Sequence, residues 1–174
     1  MNQVRKYSVF LSNVGSCSDR YCAAYDRKFE LGELFDRAKS IELLSGVDLV
    51  YTSEMAGRKS ELLEHIERTG LKVVSVAVDH FADPLFKQGS FSSVERKIRD
   101  RALKDTERAM DFAAEVRCPI VTIWPGQDGY DYLFQSDYIQ ERRWFTEGIK
   151  AACGYRTDID ITLEYKAKEP RTHS

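Results

Sequence analysis

Residues 71–86 read Leu-Lys-Val-Val-Ser-Val-Ala-Val-Asp-His-Phe-Ala-Asp-Pro-Leu-Phe, and they carry the clearest strand signal in the chain. The first half of this stretch is apolar and rich in β-branched residues, whereas the second half is polar and aromatic. A continuous apolar run is typical of a strand buried on both faces of a parallel sheet. The stretch therefore predicts a buried strand that delivers Asp79, His80 and Phe81 to one end of the sheet.

Apolar runs and helical patterns alternate in both directions from this strand, without a linker or a break in composition. The predicted strands cover residues 7–12, 47–51, 71–78, 119–124 and 159–165, and the predicted helices cover 31–44, 58–69, 94–116 and 138–152. Strands joined by helices imply a parallel sheet that the helices cover. Two α/β architectures fit this order: an open doubly wound sheet, or part of a (β/α)8 TIM barrel.

The chain length and the positions of the polar residues favour the barrel. A complete barrel takes about 250 residues, so 174 residues provide about the first four βα units and the fifth strand. The residues of chemical interest follow strands, where such barrels place their active sites. No Gly-x-Gly-x-x-Gly follows the first strand, which weakens a dinucleotide-binding interpretation. We predict one domain over residues 1–174, a partial barrel truncated at its C-terminus.

Composition excludes several classes of function. The chain is 43% hydrophobic and 31% charged, with a formal net charge of −2 and no basic stripe, so a nucleic-acid partner is not expected. No apolar run approaches the roughly 20 residues of a membrane span. The apolar segment near the N-terminus is too short for a signal peptide, and we therefore predict a cytoplasmic protein.

The last predicted strand, residues 159–171, reads Ile-Asp-Ile-Thr-Leu-Glu-Tyr-Lys-Ala-Lys-Glu-Pro-Arg. Strand geometry places Glu164 and Lys166 on the same face. A hard divalent cation such as Mg²⁺ or Mn²⁺ prefers carboxylate oxygens, and a lysine can stabilise a developing alkoxide. Alternatively, the two residues form a solvated pair at a strand end. One carboxylate alone cannot hold a catalytic metal.

The loop that follows the third predicted strand contains three phenylalanines, Phe81, Phe86 and Phe91. Flat apolar rings pack well on the C–H faces of a sugar, so this loop could wall a sugar pocket; alternatively, Phe86 and Phe91 cover the end of a barrel. His80 is either a metal ligand or general base, or a hydrogen-bonded structural residue beside Asp79.

A tight turn follows the fourth predicted strand. Residues 124–132 read Trp-Pro-Gly-Gln-Asp-Gly-Tyr-Asp-Tyr, in which the proline and the glycines shape a turn directly after a buried strand. Trp124 then either points into the pocket at the strand ends or belongs to the core.

Together these stretches resemble the xylose isomerase family and its wider group of xylose-isomerase-like barrels. Residues 164–171 resemble the family motif Glu-Pro-Lys-Pro-x-Glu-Pro, and residues 81–93 resemble Phe-x-His-Pro-x-Phe-Lys-x-Gly-x-Phe-Thr. The segment Ile-Trp-Pro-Gly-Gln-Asp-Gly-Tyr-Asp-Tyr, residues 123–132, resembles Leu-Trp-Gly-Gly-Arg-Glu-Gly-x-Glu-Tyr. The three motifs occur in the family's order between residues 72 and 171, and the order makes the resemblance specific.

The resemblance implies roles for the matched residues. Glu164 would be the first carboxylate ligand of a divalent metal, and Lys166 would bind the carbonyl or hydroxyl oxygen of the sugar during a hydride shift. Phe81 and Trp124 would form an apolar wall over the sugar. His80 lies one residue before Phe81, where the family has no essential histidine, and we assign it to substrate binding.

This sequence also departs from the family pattern. The family's ring-opening histidine and its aspartate partner follow the second strand, but residues 47–55 here read Val-Asp-Leu-Val-Tyr-Thr-Ser-Glu-Met and contain no histidine. Glu54 could take a polar role there. Glu169 matches a carboxylate near the family's subunit contact and pocket edge. The departures indicate a relative that acts on another sugar, such as a deoxysugar or a sugar acid.

The resemblance implies a metal-dependent aldose–ketose isomerase that uses a hydride shift. The alternatives are a sugar epimerase of the same superfamily and a non-catalytic remnant; a DNA-repair endonuclease on the same barrel would need more histidines than the three present. The family takes its remaining metal ligands from strands six to eight, so we expect this chain to be a fragment that holds Mg²⁺ or Mn²⁺ only weakly by itself. The expected partner is a small-molecule sugar, and the full-length relatives are expected to be homo-oligomers.

Overall fold

Five parallel strands form one sheet in a computed structural model of the chain, which describes residues 6–16, 24–126, 128–130 and 134–164. The strands are β1 Tyr7–Phe10, β2 Leu44–Tyr51, β3 Lys72–Val78, β4 Ile120–Ile123 and β5 Asp160–Leu163. Each strand pairs with the next strand along the chain. A doubly wound sheet reverses its strand order at a switch point. The described strands show no such reversal, and their order is that of a barrel.

Within the described ranges, five α-helices connect and cover the strands. They are α1 Leu31–Ser40, α2 Ser53–Gly57, α3 Lys59–Thr69, α4 Arg96–Glu115 and α5 Tyr138–Tyr155, and short 3₁₀ helices occupy Leu11–Val14 and Pro84–Phe86. The four longer helices were predicted, whereas the one-turn helix α2 was not. None of the helices in the described ranges is long and apolar enough to cross a lipid bilayer.

The predicted boundary between the first helix and the second strand is wrong. The helix was expected to reach residue 44, but α1 ends at Ser40 and Leu44 begins β2. Leu44 continues the helical spacing of apolar residues, yet Ile41 adopts an extended backbone and Leu43 is 68% exposed. Similarly, β1 ends at Phe10, because residues 11–14 turn into a 3₁₀ helix rather than continuing as a strand.

One face of the sheet packs against the helices and forms the core. Val47 and Leu49 of β2 and Val121 and Ile123 of β4 are at most 1% exposed. They belong to the same apolar cluster as buried residues of the helices, among them Phe35, Leu62, Ala109, Met110 and Ala113. Because each fully buried large apolar side chain contributes about 1.5–3 kcal/mol, this layer fixes the positions of the strands.

The opposite face of the sheet carries several polar side chains. The Ser75 hydroxyl donates a hydrogen bond of 2.7 Å to Asp48, and the hydroxyls of Thr122 and Thr162 lie 2.9 Å apart. Side chains alternate between the two faces of a strand, so Thr162 and Glu164 lie on this face of the sheet together. The polar face therefore leads to the carboxyl ends of the strands, where the candidate site lies.

Candidate functional site

The carboxyl ends of the parallel strands bring several predicted residues to one edge of the sheet. Asp79 follows β3, Trp124 follows β4 and Glu164 follows β5. The backbone N–H of Glu164 donates to the Ile123 carbonyl oxygen at 2.9 Å, so Glu164 extends the sheet pairing next to Trp124. We call this edge the mouth of the sheet.

Phe81 and Trp124 form an aromatic pair at the mouth. Their ring centroids lie 5.3 Å apart with a 58° angle between the ring planes, and both residues are partly exposed. A Cβ atom at Gly126 would lie 2.3 Å from the Trp124 ring, so only glycine lets the backbone pass so close to the indole. The structure thus brings together the two residues for which an apolar wall was predicted.

A buried aromatic cluster forms in the same loop as Phe81. Phe86 and Phe91 are each 1% exposed, and their ring centroids lie 4.9 and 5.5 Å from that of His80. Phe91 also makes an edge-on contact with Phe145 of α5 at 6.1 Å. The phenylalanine-rich loop is therefore a packed segment, in which Phe86 and Phe91 belong to the buried apolar core.

His80 lies inside this cluster and is 1% exposed. Neither ring nitrogen makes a well-formed hydrogen bond among the described residues. Burial lowers the pKa of His80 to about 4, and the nearby Asp105 carboxylate and Ala102 carbonyl offset this only in part. The imidazole is therefore neutral at pH 7. Its assignment to substrate binding stays a prediction, and its burial favours a packing role.

Asp128 connects the two loops of the mouth, a contact that the sequence did not predict. Its carboxylate accepts hydrogen bonds from the Ser90 N–H at 2.9 Å and from the Ser92 hydroxyl at 2.6 Å. Burial raises the pKa of Asp128, while the Ser92 and Ser90 donors favour the ionised form and limit the rise. The only sequence signal was the position of an aspartate between two glycines.

The region that follows β2 is built differently. The Thr52 hydroxyl accepts a hydrogen bond from the Met55 N–H at 3.1 Å and caps α2. Glu54 and Lys28 form an ion pair at 3.8 Å, with side chains 71% and 82% exposed. A cavity of about 230 Å³ lies beside them. Its lining mixes apolar and polar side chains, among them Leu11, Phe29, Leu34, Asp48 and Met55.

The described residues supply one part of a metal site. Glu164 is exposed at the mouth and offers the oxygen donors that Mg²⁺ and Mn²⁺ prefer. No group of three or more histidine, cysteine, aspartate or glutamate side chains is placed to hold a metal within the described ranges. Lys166 and Glu169 lie outside the described residues. The donor type therefore fits a hard cation, but the number of ligands does not.

The family of the chain follows from comparison with known proteins. The family model described as xylose isomerase-like TIM barrel matches residues 31–172. The chain belongs to this family, and the predicted partial (β/α)8 barrel is confirmed.

Individual relatives include isomerases and epimerases. A xylose isomerase from Thermus thermophilus is 33% identical over 110 residues, which are 61% of this chain and 28% of that protein. The 3-keto-D-glucoside 4-epimerase from E. coli superimposes with a TM-score of 0.63 at 16% identity over 86% of this chain and 54% of its own. An AP endonuclease, family 2, from Brucella melitensis gives a TM-score of 0.63 at 12% identity over 92% of this chain and 55% of its own. The chain thus matches about half, or less, of the length of these proteins. At such identities the solved structures show the fold alone.

Proposed function

We propose that this chain forms the sugar-binding part of a metal-dependent aldose–ketose isomerase. The observation that carries the proposal is the Phe81–Trp124 pair, which lies at the mouth next to the strand end that bears Glu164. Aromatic rings offer an apolar surface to the C–H face of a sugar, and polar groups at the rim fix its orientation. The match to xylose isomerases at 33% identity supports a sugar substrate.

Glu164 is proposed as one ligand of a divalent cation. A bound cation would supply Lewis-acid polarisation of the sugar oxygens. The remaining ligands would have to come from residues outside the described part of the chain. In this proposal Lys166 binds a sugar oxygen, as the family resemblance implies.

Fluorescence of Trp124 tests the proposal directly. In a Trp144→Phe variant, Trp124 is the only tryptophan, so its emission reports on the mouth. We expect pentose or hexose titrations to change this emission, more strongly with Mn²⁺ present, and Phe81→Ala to weaken the response. Phe134→Ala is the control, because Phe134 is 98% exposed.

The thermal unfolding midpoint, measured with and without Mn²⁺, tests the metal part. A ligand that binds only the folded chain raises the midpoint, and Glu164→Gln should remove the rise. Absence of both the metal shift and the sugar response would support a non-catalytic remnant instead.

A sugar epimerase is the second candidate. It is favoured by the region after β2, because no histidine occurs between residues 47 and 55, where the xylose isomerase pattern has its ring-opening histidine. Turnover in deuterium oxide separates the reactions: a hydride shift keeps the migrating hydrogen, whereas proton abstraction by a base exchanges it with solvent. Deuterium in the product would therefore support the epimerase.

A further inference from the structure

We propose that Asp128 is a positioning residue that latches the phenylalanine-rich loop to the Trp124 turn and thereby sets the geometry of the Phe81–Trp124 pair. Phe81 and Trp124 come from segments that are far apart in sequence, so their contact depends on what joins these segments. The consequence for sugar binding rests on the proposed function, whereas the latch itself does not.

The bonding pattern at Asp128 is that of a built connection. One carboxylate oxygen accepts from the Ser90 N–H at 2.9 Å and from the Ser90 hydroxyl at 3.3 Å, and the other accepts from the Ser92 hydroxyl at 2.6 Å. Ser90 is fully buried and Ser92 is 9% exposed. Both oxygens therefore receive donors from one short segment that lies 36–38 residues away in sequence.

Each partner of the latch is held by its own local structure. The Asp128 N–H donates to the Pro125 carbonyl at 3.1 Å, which closes a turn that begins at Pro125, directly after Trp124. On the other side, Gly89 has a φ of +106°, and a Cβ atom there would lie 2.5 Å from the Ser92 hydroxyl oxygen. The latch therefore joins two locally fixed turns, so that a shift at Asp128 is transmitted to Trp124.

A carboxylate suits this position better than a neutral side chain. An ionised carboxylate only accepts hydrogen bonds, and three donors converge on Asp128. Bonds to a charged acceptor are roughly twice as strong as neutral ones. An asparagine would place donor hydrogens toward the serines and lose the charge.

The test measures Trp124 in the Trp144→Phe background, which keeps an aromatic ring beneath Arg99. We expect Asp128→Ala to shift the Trp124 emission to longer wavelength and to increase its quenching by iodide. Ser92→Ala should give a smaller change in the same direction, and the double variant should change less than the sum of the two. Asp128→Glu keeps a carboxylate, so its Trp124 emission should lie between that of Asp128→Ala and that of the Trp144→Phe protein. A purely local loss of packing would give no such recovery.

Asp137→Ala is the matched control. Asp137 caps α5 by accepting from the Gln140 N–H at 3.0 Å. Its loss should lower the thermal unfolding midpoint, because the helix cap is removed, without changing the Trp124 emission or its quenching. If Asp128→Ala and Ser92→Ala leave emission and quenching as in this control, the latch proposal is overturned.

Sugar titration of the same variants completes the test. With the latch and the proposed function both correct, Asp128→Ala weakens sugar binding by roughly 3- to 10-fold, or up to about 1.4 kcal/mol. If Trp124 responds to the latch variants but no variant binds sugar, the latch stands and the proposed function fails. If sugar binds equally well to all variants, the latch does not control the binding geometry, and that part of the proposal is overturned.

Discussion

The two sides of the mouth both follow strands of the sheet, but different interactions hold them in place. On the β3–β4 side, which comprises residues 79–93 and the turn from Trp124, the contacts are buried aromatic rings and a hydrogen-bonded carboxylate. On the β2 side, residues 52–58, the contacts are a helix cap and an ion pair that is largely exposed. The first side resembles a core, and the second resembles a surface.

The difference teaches where the geometry of a site is fixed. A buried ring contributes several kcal/mol to folding and has little freedom to move. An exposed ion pair contributes about 0–1 kcal/mol and is screened by salt. The β3–β4 side should therefore keep Phe81 and Trp124 in one place, whereas the β2 side should tolerate substitution.

Removal of the Phe91 ring should have the largest effect. Phe91 is 1% exposed and contacts both His80 and Phe145. We expect Phe91→Ala to lower the free energy of unfolding by about 3–5 kcal/mol, because a cavity remains where the ring was. Urea denaturation measures this. Phe134→Ala, at an exposed position, should change the value by less than about 0.5 kcal/mol, and equal effects would erase the contrast between buried and exposed rings.

Acidification should also weaken the β3–β4 side, through His80. Its folded-state pKa of about 4 lies below its ordinary value of 6.5, so between these pH values the unfolded chain binds the proton and the folded chain does not. Stability is then full above pH 6.5 and falls as the pH approaches 4. The two pKa values differ by about 2.5, which corresponds to a loss of about 3 kcal/mol in the free energy of unfolding at a pH below both values.

The variant His80→Leu isolates this contribution. Leucine removes the titration and leaves no unpaired ring nitrogen, so its stability should depend less on pH between 6.5 and 4. Measurement of unfolding at several pH values compares the two proteins. Parallel pH profiles would mean that carboxylates elsewhere, and not His80, cause the acid sensitivity.

The sequence predicted which residues lie at the strand ends, but it missed part of the secondary structure around β2. The strand-end positions of Phe81, Trp124 and Glu164 followed from the order of apolar runs, because each run is a local signal and parallel strands share one edge. Residues 44–46 of β2 and the short helix α2 were missed. A turn that starts at Ile41 and a helix of one turn leave little periodic pattern in the sequence.

The partners of the site residues were beyond prediction. Asp128 bonds to serines 36–38 residues earlier, and nothing in one sequence couples such positions. His80 was predicted as a ligand, a general base or a hydrogen-bonded structural residue, yet its ring is buried and contacts the rings of Phe86 and Phe91. Burial of a loop depends on tertiary packing, here on α4 and α5, and not on local residue type.

A methyl group added next to the Phe91 ring should have an effect of intermediate size on stability. A Cβ atom at Gly148 would lie 2.2 Å from the Phe91 ring, whereas one at Gly154, in the same helix, would meet nothing within 4 Å. We expect Gly148→Ala to destabilise by about 1–3 kcal/mol through overpacking. Gly154→Ala should stabilise by about 0.5–1 kcal/mol through helix propensity. Opposite signs in thermal unfolding would confirm close packing, and equal signs would contradict it.

On the β2 side, loss of the Thr52 cap should lower stability more than loss of the Lys28–Glu54 ion pair. Thr52→Ala removes the acceptor for the Met55 N–H and should cost about 1 kcal/mol. Thr52→Ser keeps the acceptor and should retain most of this stability. Chemical denaturation of the two variants separates the contribution of the Thr52 hydroxyl from that of its methyl group. An equal loss of stability in both variants would assign the effect to packing.

The smallest effect should come from the Lys28–Glu54 ion pair. The two side chains are mostly exposed and 3.8 Å apart, so Glu54→Gln should change the free energy of unfolding by less than about 0.5 kcal/mol, and 0.5 M salt should remove even that. A double-mutant cycle with Lys28→Met measures the coupling apart from other effects of each change. A coupling well above 1 kcal/mol would place this pair in a desolvated setting. The β2 side would then be held as firmly as the β3–β4 side, and the contrast between the two sides would fail.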